Sequence, residues 1–324
     1  MTDPTTPGAG TEPAPDPAPG PGAVLVMGEA LIDLVPVPEE PAGYRAEPGG
    51  APANVAAGLA RLGTPSWFAG ALGGDGFARM IEDRLRSAGT ELGLCARSEL
   101  PTTLAVADPG PDGTTYHFHL GDTATFRLPD LSARVDRFAA VYVGGVAAVV
   151  DPAADAVAAT ARAGAAASLL VVDPNVREDR TIDPVRAGRL LRELCGAAQV
   201  VKASDEDLAR LWPGTDPDES ARRLAREGRL VVLTRGARGA TAYAGEREPV
   251  SVPAVPVEVV NTIGAGDAFM AGVLNWLTTH GADTGVGVAA LPREQVTRML
   301  GFAARVAASV CARTGTEPTR PPGT

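Results

Sequence analysis

The stretch Asn261-Thr262-Ile263-Gly264-Ala265-Gly266-Asp267-Ala268-Phe269 joins a glycine turn to an apolar run that reaches about His280. Glycine lacks a Cβ, so two glycines at a helix start let the backbone close on a ligand. The first turn of a helix carries unpaired N–H groups at the positive end of its dipole, and together they form an anion site. An acid at that point is expected to stay ionised. Asp267 is then placed to take a proton from a hydroxyl while the amides of Gly264, Ala265 and Gly266 steady charge on a transferring phosphoryl group. The same residues also fit a tight turn whose acid merely complements the dipole.

Outward from this stretch, short apolar runs alternate with helical patterns. Strands are expected at 23–27, 66–72, 140–143, 169–172, 199–202 and 230–234. Helices are expected at 51–62, 76–87, 152–163, 184–194, 205–211, 219–227, 265–280 and 292–312, with Asp75 as an N-cap. This alternation implies a parallel sheet covered by helices on both faces. Residues 102–107 and 114–120 interrupt it as two strands around a Pro-Gly turn at 109–113. Ligands of open parallel sheets sit beyond the carboxyl ends of the strands. Those ends carry Gly28-Glu29 with Asp33 soon after, Asp173-Pro174-Asn175, Ser204-Asp205 and Thr234-Arg235-Gly236.

Composition narrows the chemistry. The formal charge of −10 argues against a nucleic-acid binder, and a hydrophobic content of 45% supports a large buried core. Lys202 is the only lysine, and it follows Val200-Val201, so the chain has no Gly-Lys-Ser/Thr phosphate loop. Phosphates must then be held by backbone amides, arginine and metal. Cys95, Cys195 and Cys311 lie too far apart for a disulfide framework or a zinc pattern, and the three histidines find no third ligand at metal spacing. Trp67, Trp212 and Trp276 read as packing residues. Residues 1–22, rich in Pro and Gly and without a basic residue, are expected to form a disordered tail and not a signal peptide. No run has the length of a membrane span, so a cytoplasmic protein without a membrane partner is expected.

Residues 262–272, from Thr-Ile-Gly-Ala-Gly-Asp-Ala-Phe to Met-Ala-Gly, resemble the C-terminal signature of the ribokinase-like (PfkB) carbohydrate kinases. Gly49-Gly50-Ala51-Pro52-Ala53-Asn54 resembles the family's other signature, where the glycines approach a sugar and Asn54 offers donors and an acceptor. Gly28-Glu29-Ala30-Leu31-Ile32-Asp33 resembles its first-strand motif, whose last Asp grips sugar hydroxyls. Asp173-Pro174-Asn175-Val176-Arg177 is similar to a segment of fructokinase-like members, with Arg177 as a substrate-binding residue or a solvated charge. Lys202-Ala203-Ser204-Asp205-Glu206-Asp207 is similar to the Asn-x-x-Glu stretch that organises phosphates and, indirectly, magnesium. Ser204 replaces Asn and Asp207 replaces Glu, and a plain helix cap at Ser204 also fits. Thr234, Gly236 and Gly239 resemble the nucleotide segment, for which a β-turn is the alternative, and Thr262 joins them.

The resemblance implies a ribokinase-like three-layer α/β sandwich over 23–316, with a mainly parallel central sheet and tails at 1–22 and 317–324. A small β-sheet lid would come from segments near 35–45 and 102–126, through which relatives commonly dimerise. It implies transfer of the γ-phosphoryl group of ATP to a sugar hydroxyl, with Mg2+ as cofactor and Asp267 as base. Fructose is the expected sugar because the Gly28-Glu29 opening and the 173–177 segment are most like bacterial fructokinases. The alternatives are a kinase for 2-keto-3-deoxygluconate, ribose or another sugar, and a sugar-binding regulator that has lost catalysis. Asn261 stands where relatives usually carry Asp beside a K+ site, so potassium dependence is expected to be weak.

Overall fold

The structure is a computed structural model that describes residues 18–37, 40, 43–110, 113–282, 285–313 and 315–319. Residues 1–17 of the expected leading tail, 111–112 of the expected turn and 320–324 of the trailing tail lie outside the described residues. The chain opens with β1 (Val24–Met27), β2 (Leu31–Pro36), β3 (Tyr44–Gly49) and α1 (Ala51–Arg61). β4 (Ser66–Ala69), β5 (Ala71–Leu72), α2 (Gly76–Ala88), β6 (Ala96–Arg97), β7 (Leu104–Gly110) and β8 (Gly113–His119) follow. The middle of the chain alternates β9 (Ala140–Gly144), α3 (Ala153–Ala167), β10 (Leu169–Asp173), α4 (Pro184–Ala197) and β11 (Val200–Ser204). Next come α5 (Asp205–Leu211), α6 (Pro217–Arg226), β12 (Leu230–Thr234), β13 (Ala240–Ala244) and β14 (Val250–Val252). The chain closes with α7 (Ala265–Thr279), α8 (Gly285–Val288) and α9 (Arg293–Cys311).

Eight strands form the central sheet in the order β14-β13-β12-β11-β10-β9-β1-β4. The six from β12 to β4 run parallel, and β13 and β14 add an antiparallel edge. Successive side chains of a strand point to opposite faces, so an apolar run feeds two cores at once. Val24, Val26, Tyr142 and Val171 pack toward α1, α2, α7 and α9. Leu25, Met27, Val141, Val143 and Val172 pack toward α3, α4, α5 and α6. Helix starts follow capping chemistry: Asp75 accepts from the Ala78 N–H at 2.8 Å, as expected for an N-cap. Asp183 and Asp216 cap α4 and α6 in the same way, each followed by a proline at the first helical position.

A separate four-stranded sheet has the order β3-β2-β7-β8. It begins at Leu31, earlier than the expected 35–45 segment, so Asp33 sits in this small sheet and not at the tip of the first core strand. Residues 124–126, expected within the lid, form a 3-10 turn. The expected strand at 66–72 divides at Gly70, where a Cβ would meet the Phe68 ring at 2.4 Å. β13 and β14, absent from the sequence expectations, extend the sheet beyond the last parallel strand. At the far end Pro318 is buried and Glu317 pairs with Arg61 and Arg84, so residues 317–319 pack on the domain instead of starting a tail.

Helices α7 and α9 approach closely at Gly272, where a Cβ would lie 2.8 Å from the Ala303 Cα. Two effects oppose each other in Gly272→Ala. Helix propensity favours Ala by about 0.8–1.0 kcal/mol. Overpacking against backbone costs about 1–3 kcal/mol. The packing effect is expected to win, lowering the urea midpoint with an unchanged slope. A raised midpoint would show that α9 moves aside freely.

Candidate active site

The carboxyl ends of the parallel strands open into a cleft of about 340 Å³ under the small sheet. Leu31, Asp33, Tyr116 and Phe118 reach it from the small sheet, Asn54 from α1, and Gly264, Gly266 and Asp267 from the start of α7. Lys202, Ser204 and Asp207 come from β11 and α5. A second cavity of about 590 Å³ adjoins it through Thr234, Thr262 and Gly266. That cavity is walled by Val255, Pro256, Val259, Phe269, Ala304 and Ala308, with Gly236, Gly239 and Cys311 at its margin.

Gly264 has φ +76 and forms the N-cap of α7, a left-handed conformation that favours glycine. Ala265 donates back to the Thr262 carbonyl, and helix geometry leaves the Gly266 and Asp267 amides without an intrahelical acceptor. Asp267 is 7% exposed, and its Oδ2 accepts from Asn54 Nδ2 at 2.8 Å. Burial pushes its pKa above the ordinary aspartate value against the opposing pull of Asn54, Lys202, Arg177 and Arg84. Burial thus opposes the ionised form that the dipole favours, and the carboxylate is a stronger base than an ordinary aspartate.

Lys202 is also buried, and its ammonium donates to Asp173 Oδ2 at 2.8 Å. Its Nζ lies 3.3 Å from where a Cβ on Gly266 would stand, so a fixed cation sits against the anion turn. Burial opposes that charge, but Asp173 and Asp207 outweigh it and raise the lysine pKa. Asp173 itself is pushed up to about 6, mainly by burial.

Ser204 and Asp207 form a reciprocal capping box on α5. Asp207 Oδ2 accepts from the Ser204 N–H and hydroxyl, and Oδ1 accepts from the Val176 N–H at 2.8 Å. The capping alternative for Ser204 thus describes the geometry, and Asp207 also ties down the 173–177 loop. Arg177 is exposed at the cleft, and its guanidinium donates to its neighbour's carbonyl at 3.4 Å. Thr234 donates to the Ala203 carbonyl, and Arg235 and Gly239 close a turn in which a Cβ on Gly239 would strike the Val252 carbonyl. Asn261 Oδ1 accepts from the Ile263 N–H at 3.0 Å.

Asp33 Oδ2 occupies the space a side chain at Gly49 would fill, 2.0 Å from its Cβ position. Burial, then the charges of Asp267 and Glu47, push the Asp33 carboxyl up to about 7. Gly50 begins α1 with φ +96, its Cβ position 2.7 Å from the Glu29 carbonyl. Asn54, expected to present both amide atoms to a sugar, instead gives its oxygen to Arg84 at 2.9 Å and a donor to Asp267. Sequence reasoning assigned no role to Glu29, Arg84 or Thr316. Glu29 is buried at the cleft and accepts from the Ala147 N–H at 3.0 Å, room for it being left by Gly145. Its place in the Gly28-Glu29 motif was the available signal, whereas Arg84 and Thr316 carry none.

Among the described residues no group of three or more His, Cys, Asp or Glu is arranged to hold a metal, and no helix is long and apolar enough to cross a membrane. Residues 22–322 match the pfkB family carbohydrate kinases. A fructokinase of Rhizobium leguminosarum bv. trifolii is 33% identical over 263 residues, 78% of each chain. The solved structure of a Xylella fastidiosa fructokinase with bound ATP aligns with a TM-score of 0.82 at 27% identity, covering 92% of this chain and 95% of that one. A Vibrio cholerae O395 fructokinase in its fructose, ADP and calcium ion bound form aligns at 0.77 and 26% identity, covering 92% and 96%. The fold, the glycine turn at the start of α7 and these matches agree that the chain belongs to the pfkB family of carbohydrate kinases.

Proposed function

We propose that this chain is a fructokinase that transfers the γ-phosphoryl group of ATP to a fructose hydroxyl, with Asp267 as general base. The observation that carries it is a buried carboxylate at the glycine turn of α7, in a cleft roofed by the small sheet and joined to an apolar cavity. The apolar cavity suits an adenine ring, and a nucleotide held there would extend its phosphates past the border at Gly266 toward the free amides of α7. Asp267 takes the proton of the attacking hydroxyl, Lys202 and the amides balance charge on the phosphoryl group, and Asp33 accepts sugar hydroxyls from the lid side. Lid strands over the cleft limit water access and so limit idle hydrolysis. The donor set fits Mg2+ only as an ion arriving with nucleotide, since magnesium keeps waters and phosphate oxygens and needs one or two carboxylates. Glu206 and Asp207 line the cleft where such an ion would lie, Asp207 reaching it through water, and the ion would neutralise phosphate charge. The names of the fructokinase relatives support fructose as the sugar.

Asp267→Asn is expected to lower turnover at least 10²-fold, the lower range for loss of a general base, with sugar binding and folding retained. A panel of fructose, ribose, glucose and 2-keto-3-deoxygluconate with ATP and Mg2+ is expected to give fructose the highest kcat/KM. A higher value for another sugar overturns the substrate, and no sugar-dependent ADP release overturns the activity.

Asp33 adds a pH dependence. Its folded pKa is near 7 against an ordinary 3.8, so between those values the folded state holds a proton the unfolded state has released. Its contribution to stability therefore falls as pH rises from about 4 to 7, by a few kcal/mol at most. Asp33→Asn is expected to raise the thermal midpoint at pH 8 and leave it unchanged near pH 3. In the wild type the fructose KM is expected to rise below pH 7, where a protonated Asp33 accepts hydroxyls poorly, while the ATP KM changes less. A fructose KM that is flat from pH 6 to 8 removes Asp33 from the sugar site.

Potassium activation is expected to be weak. Asn261 carries no charge, and its amide oxygen is engaged by the Ile263 N–H. A unit charge pair at about 4 Å is worth roughly 4 kcal/mol at an effective dielectric near 20, before desolvation. Asn261→Asp is expected to create or sharpen activation, read as initial rates in potassium against choline chloride at equal ionic strength. Saturable wild-type activation at low millimolar potassium would show that uncharged ligands suffice.

A further inference from the structure

Arg84 lies on α2, outside every motif in the sequence, yet it joins four parts of the chain beneath the site. Its guanidinium donates to the Pro48 carbonyl at 3.0 Å, to Asn54 Oδ1 at 2.9 Å, to Thr316 Oγ1 at 2.7 Å and to Glu317 Oε1 at 3.3 Å. A guanidinium has five N–H donors in a rigid fork, so four placed partners leave it little freedom. Its side chain is only 13% exposed, which makes these bonds hard to replace with water.

The partners are not arbitrary. Pro48 leads into Gly49-Gly50 of the sugar-side turn. Asn54 donates its amide hydrogen to Asp267 at 2.8 Å. Thr316 donates to Asn54 Oδ1 at 3.3 Å as well, and its side chain fills the space beside Gly264, 2.8 Å from where a Cβ would stand. Pro318 packs near Gly58 of α1, and Arg61 holds the other carboxylate oxygen of Glu317. Residues 316–318 are thus pinned at the glycine turn of α7 and at the amide that holds Asp267.

We propose that Arg84, together with the C-terminal residues Thr316 and Glu317, is a positioning device that fixes Asn54 and, through it, the proton-accepting carboxylate of Asp267. This rests on Asp267 as the base. An amide side chain with a free oxygen can turn over, presenting its oxygen to a carboxylate and repelling it. Arg84 and Thr316 both donate to the Asn54 oxygen, so only the orientation that gives N–H to Asp267 satisfies all three groups. The effect is on orientation first, since a small misplacement of a reacting group costs up to about 10²-fold. Charge adds to it: Lys202, Arg177 and Arg84 face Asp267 with positive charge, Asp33 and Asp173 with negative charge, and the Tyr142 hydroxyl lies buried nearby.

The test uses the full chain with Arg84→Met, Arg84→Lys, Thr316→Val and Asp267→Asn, reading kcat, sugar KM, the acid limb of kcat/KM against pH, and the thermal midpoint. Arg84→Met is expected to lower kcat about 10- to 100-fold and to move the acid limb to higher pH, because a cation near Asp267 is lost. Arg84→Lys keeps the charge but not the fork, so the acid limb stays near its wild-type position while kcat remains low. Thr316→Val keeps the packing on Gly264 and removes two bonds of the network, the one accepted from Arg84 and the one donated to Asn54, and kcat is expected to fall a few-fold even if Arg84→Met proves unfoldable. Wild-type kcat and acid limb in Thr316→Val and in whichever Arg84 variants fold, whatever their thermal midpoints, would reduce the cluster to a brace of the fold and overturn the proposal. Asp267→Asn separates the two levels. If it keeps more than about a tenth of wild-type turnover, the base assignment has failed and takes this inference with it. If it is inactive while the Arg84 and Thr316 variants are unaffected, only the positioning device has failed.

Discussion

The molecule is organised around the difficulty of keeping an aspartate carboxylate, Asp267, in a place that water barely reaches. A buried charge is tolerated only when paired and hydrogen-bonded. Asp267 has one bond from Asn54, the unpaired amides of a helix start, and Lys202 behind the turn. Lys202 is itself buried and needs Asp173, so one functional carboxylate requires a second ion pair to support it. Burial still dominates, and the carboxylate is more avid for a proton than an aspartate in water. That suits the proposed base, which would take a hydroxyl proton near neutral pH.

The parallel sheet supplies the geometry. The strands that end at the cleft are apolar along most of their length, with Lys202 in the middle of β11 as the charged exception and Asp173 and Ser204 as the last residues of β10 and β11. The two cores hold those ends in fixed register, so Lys202 on β11 faces Asp173 on the adjacent β10. The small sheet contributes Asp33 from the opposite side, where Gly49 on the paired strand leaves the room it occupies. Gly49, Gly145 and Gly266 share one function in this site. Each stands where a Cβ would collide with, or press upon, a buried charged group.

Much of this was legible in the sequence wherever a local signal existed. Apolar runs of four or five residues bounded by polar turns located the parallel strands, and the glycine-aspartate stretch located the start of α7 to the residue. The antiparallel edge was not legible, because β13 is a five-residue run of Ala, Thr and Tyr and β14 a three-residue strand, too short for a period to register. The division at Gly70 depends on the Phe68 ring beside it, which no propensity records. Asp33 was identified correctly as lying after the first strand, yet its place in the small sheet follows from pairing with Glu47 and Ala105, far along the chain. Ser204 and Asp207 were recognised for a ligand role, but their spacing is also that of a capping box, and the structure uses it as one. The Arg84 cluster left no trace, because its partners stand 30 to 233 positions away and the Asn54 motif gives no sign of the arginine that holds it.

The charge inventory of the cleft sets a final constraint on what it can accept. Glu29, Asp33, Asp173, Glu206, Asp207 and Asp267 stand against Lys202, Arg84, Arg177 and Arg210. Three of those cations are already engaged, Lys202 by Asp173, Arg84 by Glu317 and Arg210 by Glu178 and Glu206. Burial has raised the pKa of Glu29, Asp33, Asp173 and Asp267, because each carboxylate has lost water that would solvate its charge. A polyphosphate entering such a cleft gains from the α7 amides but meets a net negative wall, and the backbone dipole of one helix offsets only about half a charge. In the proposed reaction the balance would come from positive charge that travels with the nucleotide and from Arg177, which is exposed at the cleft. A neutral sugar faces no such barrier and meets acids able to accept its hydroxyls, so the same excess of carboxylates that resists the nucleotide favours the acceptor.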